Sequence, residues 1–160
     1  MNKKKLIGTG IILAAVAVVL AVSVPTYYVS QNGTGTACTE SNPCSYAEGI
    51  KQVQPGQRVI VLGTITSPIN LNKSGAAGNP ITFEGGVYDG STFGSGSGSN
   101  VVSVTGSYII VKDAEIKNGY GFGIRTSGDY ITLDNLYVHH SVRRYFNGTT
   151  CTNTTGGWEA

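Results

Sequence analysis

Several side chains suited to proton transfer and anion binding recur at a fixed spacing. Asp89, Lys117 and His139 occupy one position of a repeating unit, eight residues after its first strand residue, and Ser67 fills that position one unit earlier. Pro68, Gly90, Asn118 and His140 directly follow these residues, while Glu115, Tyr137, Arg143 and Arg144 lie close by in the chain. If the units stack, an acid, an amine, two imidazoles and two guanidinium groups share one edge. Such a set can exchange protons and hold anions. The competing reading is a solvated turn, because turn positions in stacked folds are polar simply through exposure.

Three further patterns accompany this column. Leu62, Glu84, Lys112 and Asp134 form a second one, in which Lys112 between two carboxylates reads as a surface charge ladder worth a few tenths of a kcal/mol per pair. His139 and His140 would serve as a metal pair only if a turn begins there, since adjacent strand residues point to opposite faces. Tyr108, Tyr120, Phe122, Tyr130 and Tyr137 offer a stacking surface for sugar rings. For Tyr108 and Tyr130, one unit apart, a turn-side aromatic stack explains the spacing equally well.

The elements that must position these residues follow from an internal repeat of 22. Laying residues 100–121 over 122–143 pairs Val102 with Ile124, Gly106 with Gly128, Tyr108 with Tyr130, Ile109 with Ile131, Val111 with Leu133 and Ile116 with Val138 without a gap. The same step carries Val59 onto Ile81, whereas Ile81 to Ile109 is 28, the excess falling in the Gly/Ser-rich loop Ser91 to Ser99. Apolar residues alternate within each unit and a polar turn interrupts them at Asp113 and at Asp134-Asn135. Units this short cannot bury their own apolar face. They must stack, with strands about 4.8 Å apart and Val, Ile and Leu piled into one core. That architecture is an all-β solenoid, a right-handed parallel β-helix. TIM and Rossmann readings fail, because their crossovers need a dozen or more residues, usually helical, and no amphipathic helix lies between these strands.

Composition agrees. Charged residues are 12% of the chain, and 23 glycines accompany abundant Ser, Thr and Asn. The formal charge of +2 includes Lys3, Lys4 and Lys5, so the remainder is near neutral and has no basic stripe for nucleic acid. Those lysines precede an uncharged stretch from Leu6 to Val24, a positive segment and apolar core as export requires. Ala21-Val22-Ser23 suits cleavage before Val24. As a helix the apolar core would span roughly 28 Å, so an uncleaved membrane anchor is the rival fate. The expected location is secreted or cell-surface, with membrane contact only through that helix.

In an oxidising compartment Cys38 and Cys44 are the natural disulfide pair, which leaves Cys151 over. Asn32, Asn72, Asn147 and Asn153 head N-x-S/T sequons. Residues 44–53 form the one expected helix, with Tyr46, Ile50 and Val53 on one face and Pro55-Gly56 ending it. Its expected task is to cover the first coil.

At this point a resemblance becomes specific. Tyr27-Tyr28-Val29-Ser30, Asn32-Gly33, Cys38, Asn42-Pro43-Cys44, a helix, Pro55-Gly56, an apolar strand and Gly63-Thr64 resemble the opening segment of secreted β-helix proteins of the pectate-lyase-like superfamily. Ile131-Thr132-Leu133-Asp134-Asn135-Leu136-Tyr137-Val138-His139-His140 resembles their coil strands. Gln57 departs from the Asp usual after Pro-Gly. The resemblance implies a carbohydrate-active protein, a polysaccharide lyase or glycoside hydrolase, whose partner is a polysaccharide or cell-envelope glycan. It further implies Ca2+, held by carboxylates, and a basic side chain that removes the proton α to a uronate carboxyl. In those roles Asp89 and Glu115 are the expected metal ligands and Lys117 or His139 the catalytic base. His140, Arg143, Arg144 and Tyr137 are the expected substrate contacts. No residue matches a family catalytic motif closely enough to be carried over.

The expected organisation is a signal peptide or anchor over 1–25, an N-terminal cap over 26–57, and coils over 58–160 that stop before the helix is complete. After Ser141 the apolar alternation fails, and the segment from Arg143 to Trp158 reads as a long insertion on the edge that bears His139. A non-enzymatic adhesin or structural solenoid is the alternative function; few charged residues and several sequons suit it, whereas the His/Lys/Arg edge suits the carbohydrate-active reading.

Overall fold

The computed structural model describes residues 24–93, 100–141, 144–146 and 151–153. The expected leader, its cleavage site, Arg143 and most of the chain after Ser141 lie outside them. Among the described residues no helix is long and apolar enough to cross a membrane.

The described residues open with β1 (Thr26–Ser30), β2 (Cys44–Ser45) and α1 (Tyr46–Gln52). Three strands then recur per coil. The first coil has β3 (Arg58–Leu62), β4 (Thr64–Ile65) and β5 (Ile69–Leu71), and the second β6 (Ile81–Glu84), β7 (Val87–Asp89) and β8 (Val102–Val104). The third has β9 (Ile109–Lys112), β10 (Glu115–Lys117) and β11 (Ile124–Thr126), and the fourth contributes β12 (Ile131–Asp134) and β13 (Tyr137–His139). Equivalent strands pair in parallel across coils, in the orders β12-β9-β6-β3-β1-β2, β13-β10-β7-β4 and β11-β8-β5. The chain is thus a parallel β-helix with three sheets for walls.

Alternation explains which side chains point inward. Val59, Val61, Ile65, Ile69, Leu71, Ile81, Phe83, Tyr88, Val102, Val104, Ile109, Val111 and Ile116 are all buried, while their strand neighbours face out. Complete burial of such a side chain contributes about 1.5–3 kcal/mol, so the stacked rows dominate stability. At the first coil α1 supplies the cover. Ser45 caps it, its Oγ accepting from the Glu48 amide at 3.2 Å, and Tyr46 packs against Phe83 and Tyr88 with ring centroids 6.4 and 6.5 Å away. Gly49 is required there, because a Cβ would strike Val29 Cγ1. Cys38 and Cys44 are disulfide-bonded, with Cα atoms 4.6 Å apart, which closes the loop before the cap.

The expected register holds over the later coils, where Ile109 faces both Ile81 and Ile131 and Ile124 faces Val102. It slips in the first coil, where Val59 stands opposite Phe83 rather than Ile81. The cause is turn length: the turn after β5, with a reverse turn closed by Ala76 and Asn79, is five residues longer than the one after β8, the β4–β5 turn is shorter than that between β10 and β11, and the net offset is two residues. Ile60 therefore replaces Leu62 beside Glu84, and continuing the β4–β7 pairing puts Thr66, not Ser67, beside Asp89. A second difference concerns the tail. The segment read as an insertion without alternation contains an antiparallel pair, β14 (Arg144–Phe146) and β15 (Cys151–Asn153).

Candidate functional site

The outer face of the β7–β10–β13 sheet assembles most of the expected residues. Pairing aligns Val87, Glu115 and Tyr137 in one row, Tyr88, Ile116 and Val138 in the next, and Asp89, Lys117 and His139 in the third. Because Tyr88 and Ile116 are buried in the core, the two flanking rows must face out. Glu115 is the hub: its Oε1 lies 2.9 Å from Lys117 Nζ and 3.1 Å from His139 Nε2. Tyr137, 65% exposed, stacks on the His139 ring with centroids 4.3 Å apart. One small patch thus combines an ammonium, a carboxylate, an imidazole and an open aromatic face.

Electrostatics follow from these contacts. The Lys117 ammonium, then the His139 ring, holds the Glu115 carboxyl below its ordinary value. Glu115, with Asp89 assisting, raises the Lys117 amine above its ordinary value. Lys117 therefore stays protonated at neutral pH, which suits gripping an anion better than removing a proton. Of the two residues expected to act as base, His139 retains the more suitable chemistry. A carboxylate on Nε2 fixes the proton there and leaves Nδ1 as the lone-pair nitrogen.

Asp89 proves to be tied into a turn. Its Oδ1 accepts from Asn118 Nδ2 at 2.9 Å and from the Ser91 amide at 2.9 Å, and the Asn118 bond is the foremost reason that its carboxyl titrates low. Asn118 was visible in sequence only as a flanking residue; its left-handed conformation, φ 56°, marks a turn that equips it to reach back. Asp89 and Glu115 stand diagonally in register, each engaged by other groups. Among the described residues no three His, Cys, Asp or Glu side chains gather closely enough to hold a metal ion. These two carboxylates alone do not fit Ca2+, which takes six to eight oxygens.

His140 follows β13 in the left-handed conformation, φ 53°, one coil above Asn118. The turn on which the histidine pairing depended is therefore present. Arg143 lies outside the described residues, and of Arg144 only its place at the start of β14 is described. Tyr108 and Tyr130 stack at 4.5 Å with planes 9° apart, but at the turn leading into β9 and β12, a different corner of the coil. They form a turn-side stack apart from this patch. A cleft of about 410 Å³ opens elsewhere, between α1 and the turn joining β4 to β5; Tyr46, Ala47, Ile50, Ile65, Pro68 and Ile69 give it an apolar wall. Gln31, Ser45, Ser67, Asn70 and Asn72 complete it, so no carboxylate, amine or imidazole lines it.

Compared with known proteins, the chain is similar in structure to the crystal structure of pectate lyase Pel9A, with a TM-score of 0.65 and 26% sequence identity over 76% of this chain. The match spans 35% of the length of that lyase, about a third of it. No protein-family model and no curated protein sequence matches the chain. The protein has the right-handed parallel β-helix fold of that lyase, with the stacked parallel sheets described above.

Proposed function

We propose that this chain belongs to an exported β-helix protein that binds an acidic polysaccharide on the outer face of β7, β10 and β13. The observation that carries the reading is the Lys117–Glu115–His139–Tyr137 patch: a fixed ammonium for a sugar carboxylate beside an exposed aromatic face for a sugar ring. The likeness to a pectate lyase supports the substrate class; fold alone would not. Arg143, Arg144 and His140 complete the substrate contacts, and secretion or surface display follows from the Lys3–Lys5 leader.

On the enzymatic form of this reading, His139 Nδ1, released from its contact with His140 Nδ1, takes the proton α to a uronate carboxyl, with Lys117 stabilising the charge that develops on that carboxyl. The electron pair forms a carbon–carbon double bond and expels the glycosidic oxygen, which takes a proton from water. A non-enzymatic, glycan-binding form is favoured by one observation: both carboxylates are already engaged, so the patch grips more readily than it reacts. Titration of the chain with polygalacturonate, followed by absorbance of an unsaturated product, separates the forms. Binding that falls about tenfold in Lys117→Ala supports the site. Product formation abolished by His139→Ala identifies the lyase; binding without product identifies the non-enzymatic form. A chelator leaves binding unchanged on this reading. Equal binding by wild type and Lys117→Ala overturns it.

A further inference from the structure

The chain contains two histidines, and the fold brings both to one point. On a regular strand neighbours would project to opposite faces. His140, however, has φ 53°, a left-handed conformation uncommon outside glycine but accessible to histidine, and this turns its ring back toward His139. The ring centroids lie 4.7 Å apart with planes at 72°, and the two Nδ1 atoms face each other in direct contact. Glu115 Oε1 meanwhile sits 3.1 Å from His139 Nε2, so the proton of that ring belongs on Nε2 and the Nδ1 lone pair points at His140.

A carboxylate on one ring nitrogen and a lone pair on the other is how proteins orient a metal-ligating histidine; here His140 Nδ1 meets that lone pair, and an ion would take the place of the proton between the two nitrogens. Lys117 in turn holds Glu115 at 2.9 Å, which locks the carboxylate in place. Of the charged side chains described beside the pair, two are carboxylates and one is an ammonium. Asp89 and Glu115 together outweigh Lys117, and Asp89 is one of the causes that raise the Lys117 amine. We infer that His139 Nδ1 and His140 Nδ1 form a two-imidazole site for a borderline divalent transition-metal ion, Cu2+ or Zn2+, with Glu115 orienting His139 and water completing the coordination. Nitrogen donors select these ions over Ca2+ and Mg2+, which prefer oxygen. The site stands independently of glycan binding. Where both hold, the ion takes the lone pair that proton abstraction needs, and the metal suppresses cleavage.

The test uses the full chain carrying Cys151→Ser, which removes the one cysteine outside the Cys38–Cys44 disulfide, and Cu2+ or Zn2+ alone as probe. Calorimetry is expected to show one equivalent bound, and the electron paramagnetic resonance spectrum of the Cu2+ form to show coupling to two nitrogens. His139→Lys and His140→Asn each place at the position the residue that the preceding coil already carries there, Lys117 and Asn118, so the turn is preserved. Each should weaken Cu2+ binding at least about tenfold, and Glu115→Gln about 10- to 100-fold with both nitrogens still coupled. Circular dichroism confirms that the variants fold. Binding by the His139→Lys/His140→Asn double variant as tight as that of the parent overturns the inference, as does coupling to fewer than two nitrogens. Ca2+ displacing Cu2+ at equal concentration would overturn it as well.

Discussion

Two outward columns of this β-helix each place a lysine one coil on from a carboxylate, yet they end differently. On the first sheet Glu84, Lys112 and Asp134 stand in register; on the second, Asp89, Lys117 and His139 do. Lys112 bonds its chain neighbour Asp113 at 3.0 Å, and Asn135, one coil on, donates to Asp113 at 2.7 Å. That column closes on itself as a ladder of turn residues. Lys117 instead reaches Glu115 in the next outward row, and Glu115 passes the contact to His139. The turn residue decides the outcome: left-handed Asn135 reaches back to the coil below, whereas left-handed His140 turns toward its own strand. The step from carboxylate to lysine is the same in both columns. Only the second acquired chemistry.

The largest expected effect isolates the second column by undermining it. Ile116, fully buried, lies between Glu115 and Lys117 on the core side of β10. Ile116→Ala should cost about 2–5 kcal/mol, read by urea denaturation. A loss under about 0.5 kcal/mol, the size of a change at an exposed site, would mean that β10 is not packed as described. The next effect contrasts the lysines directly. Lys117→Ala should weaken acidic-glycan binding about tenfold, some 1.4 kcal/mol, while Lys112→Ala leaves it within about twofold. Equal losses in both would reduce the patch to general surface charge. Smaller still is the turn contrast. Asn135→Ala loses the bond to Asp113 and places alanine at φ 49°, for about 1–2 kcal/mol, of which Asn135→Gly recovers the conformational part. His140→Asn, with a side chain that tolerates this conformation, should leave the urea midpoint unchanged.

The fold was legible because its signal is redundant. Each inward row repeats across coils, so Ile109 over Ile131 and Val102 over Ile124 could be read from spacing alone. The slip of Val59 to Phe83 was hidden because the first-coil turn carries a local reverse turn, and turn length leaves no mark on strand periodicity. For the site, sequence gave membership of the Asp89–Lys117–His139 column. It did not give partners. That Asp89 is held by Asn118, and that Glu115 joins Lys117 to His139, depends on turn conformation and on side-chain reach across neighbouring rows, which period counting does not contain. The antiparallel β14–β15 pair was missed because strands of three residues are too short to show alternation.

The smallest effect lies in pH, and it distinguishes the columns by where each acid limb begins. Glu115 has a native carboxyl below its ordinary 4.5, through Lys117 and then His139, and Asp113 one below its ordinary 3.8, through Asn135 and then Lys112. A depressed carboxyl contributes stability that is complete above its unfolded value and disappears as pH falls through the lower native value. The Glu115 contribution should therefore begin to fade below about 4.5, and that of Asp113 only below about 3.8. Lys117 behaves oppositely. Its amine is raised above 10.5, so its contribution is complete below that value and disappears as pH climbs through the higher native one. The Glu115–Lys117 pair is thus fully charged across the whole neutral range. Urea midpoints measured against pH test this. Glu115→Gln should flatten the part of the acid slope that starts near 4.5 and leave the later part, which Asp89 and Asp113 share and which Asp113→Asn reduces. A slope unaltered by Glu115→Gln would mean that Lys117 and His139 do not hold that carboxylate in solution, and the hub of the second column would be lost with it.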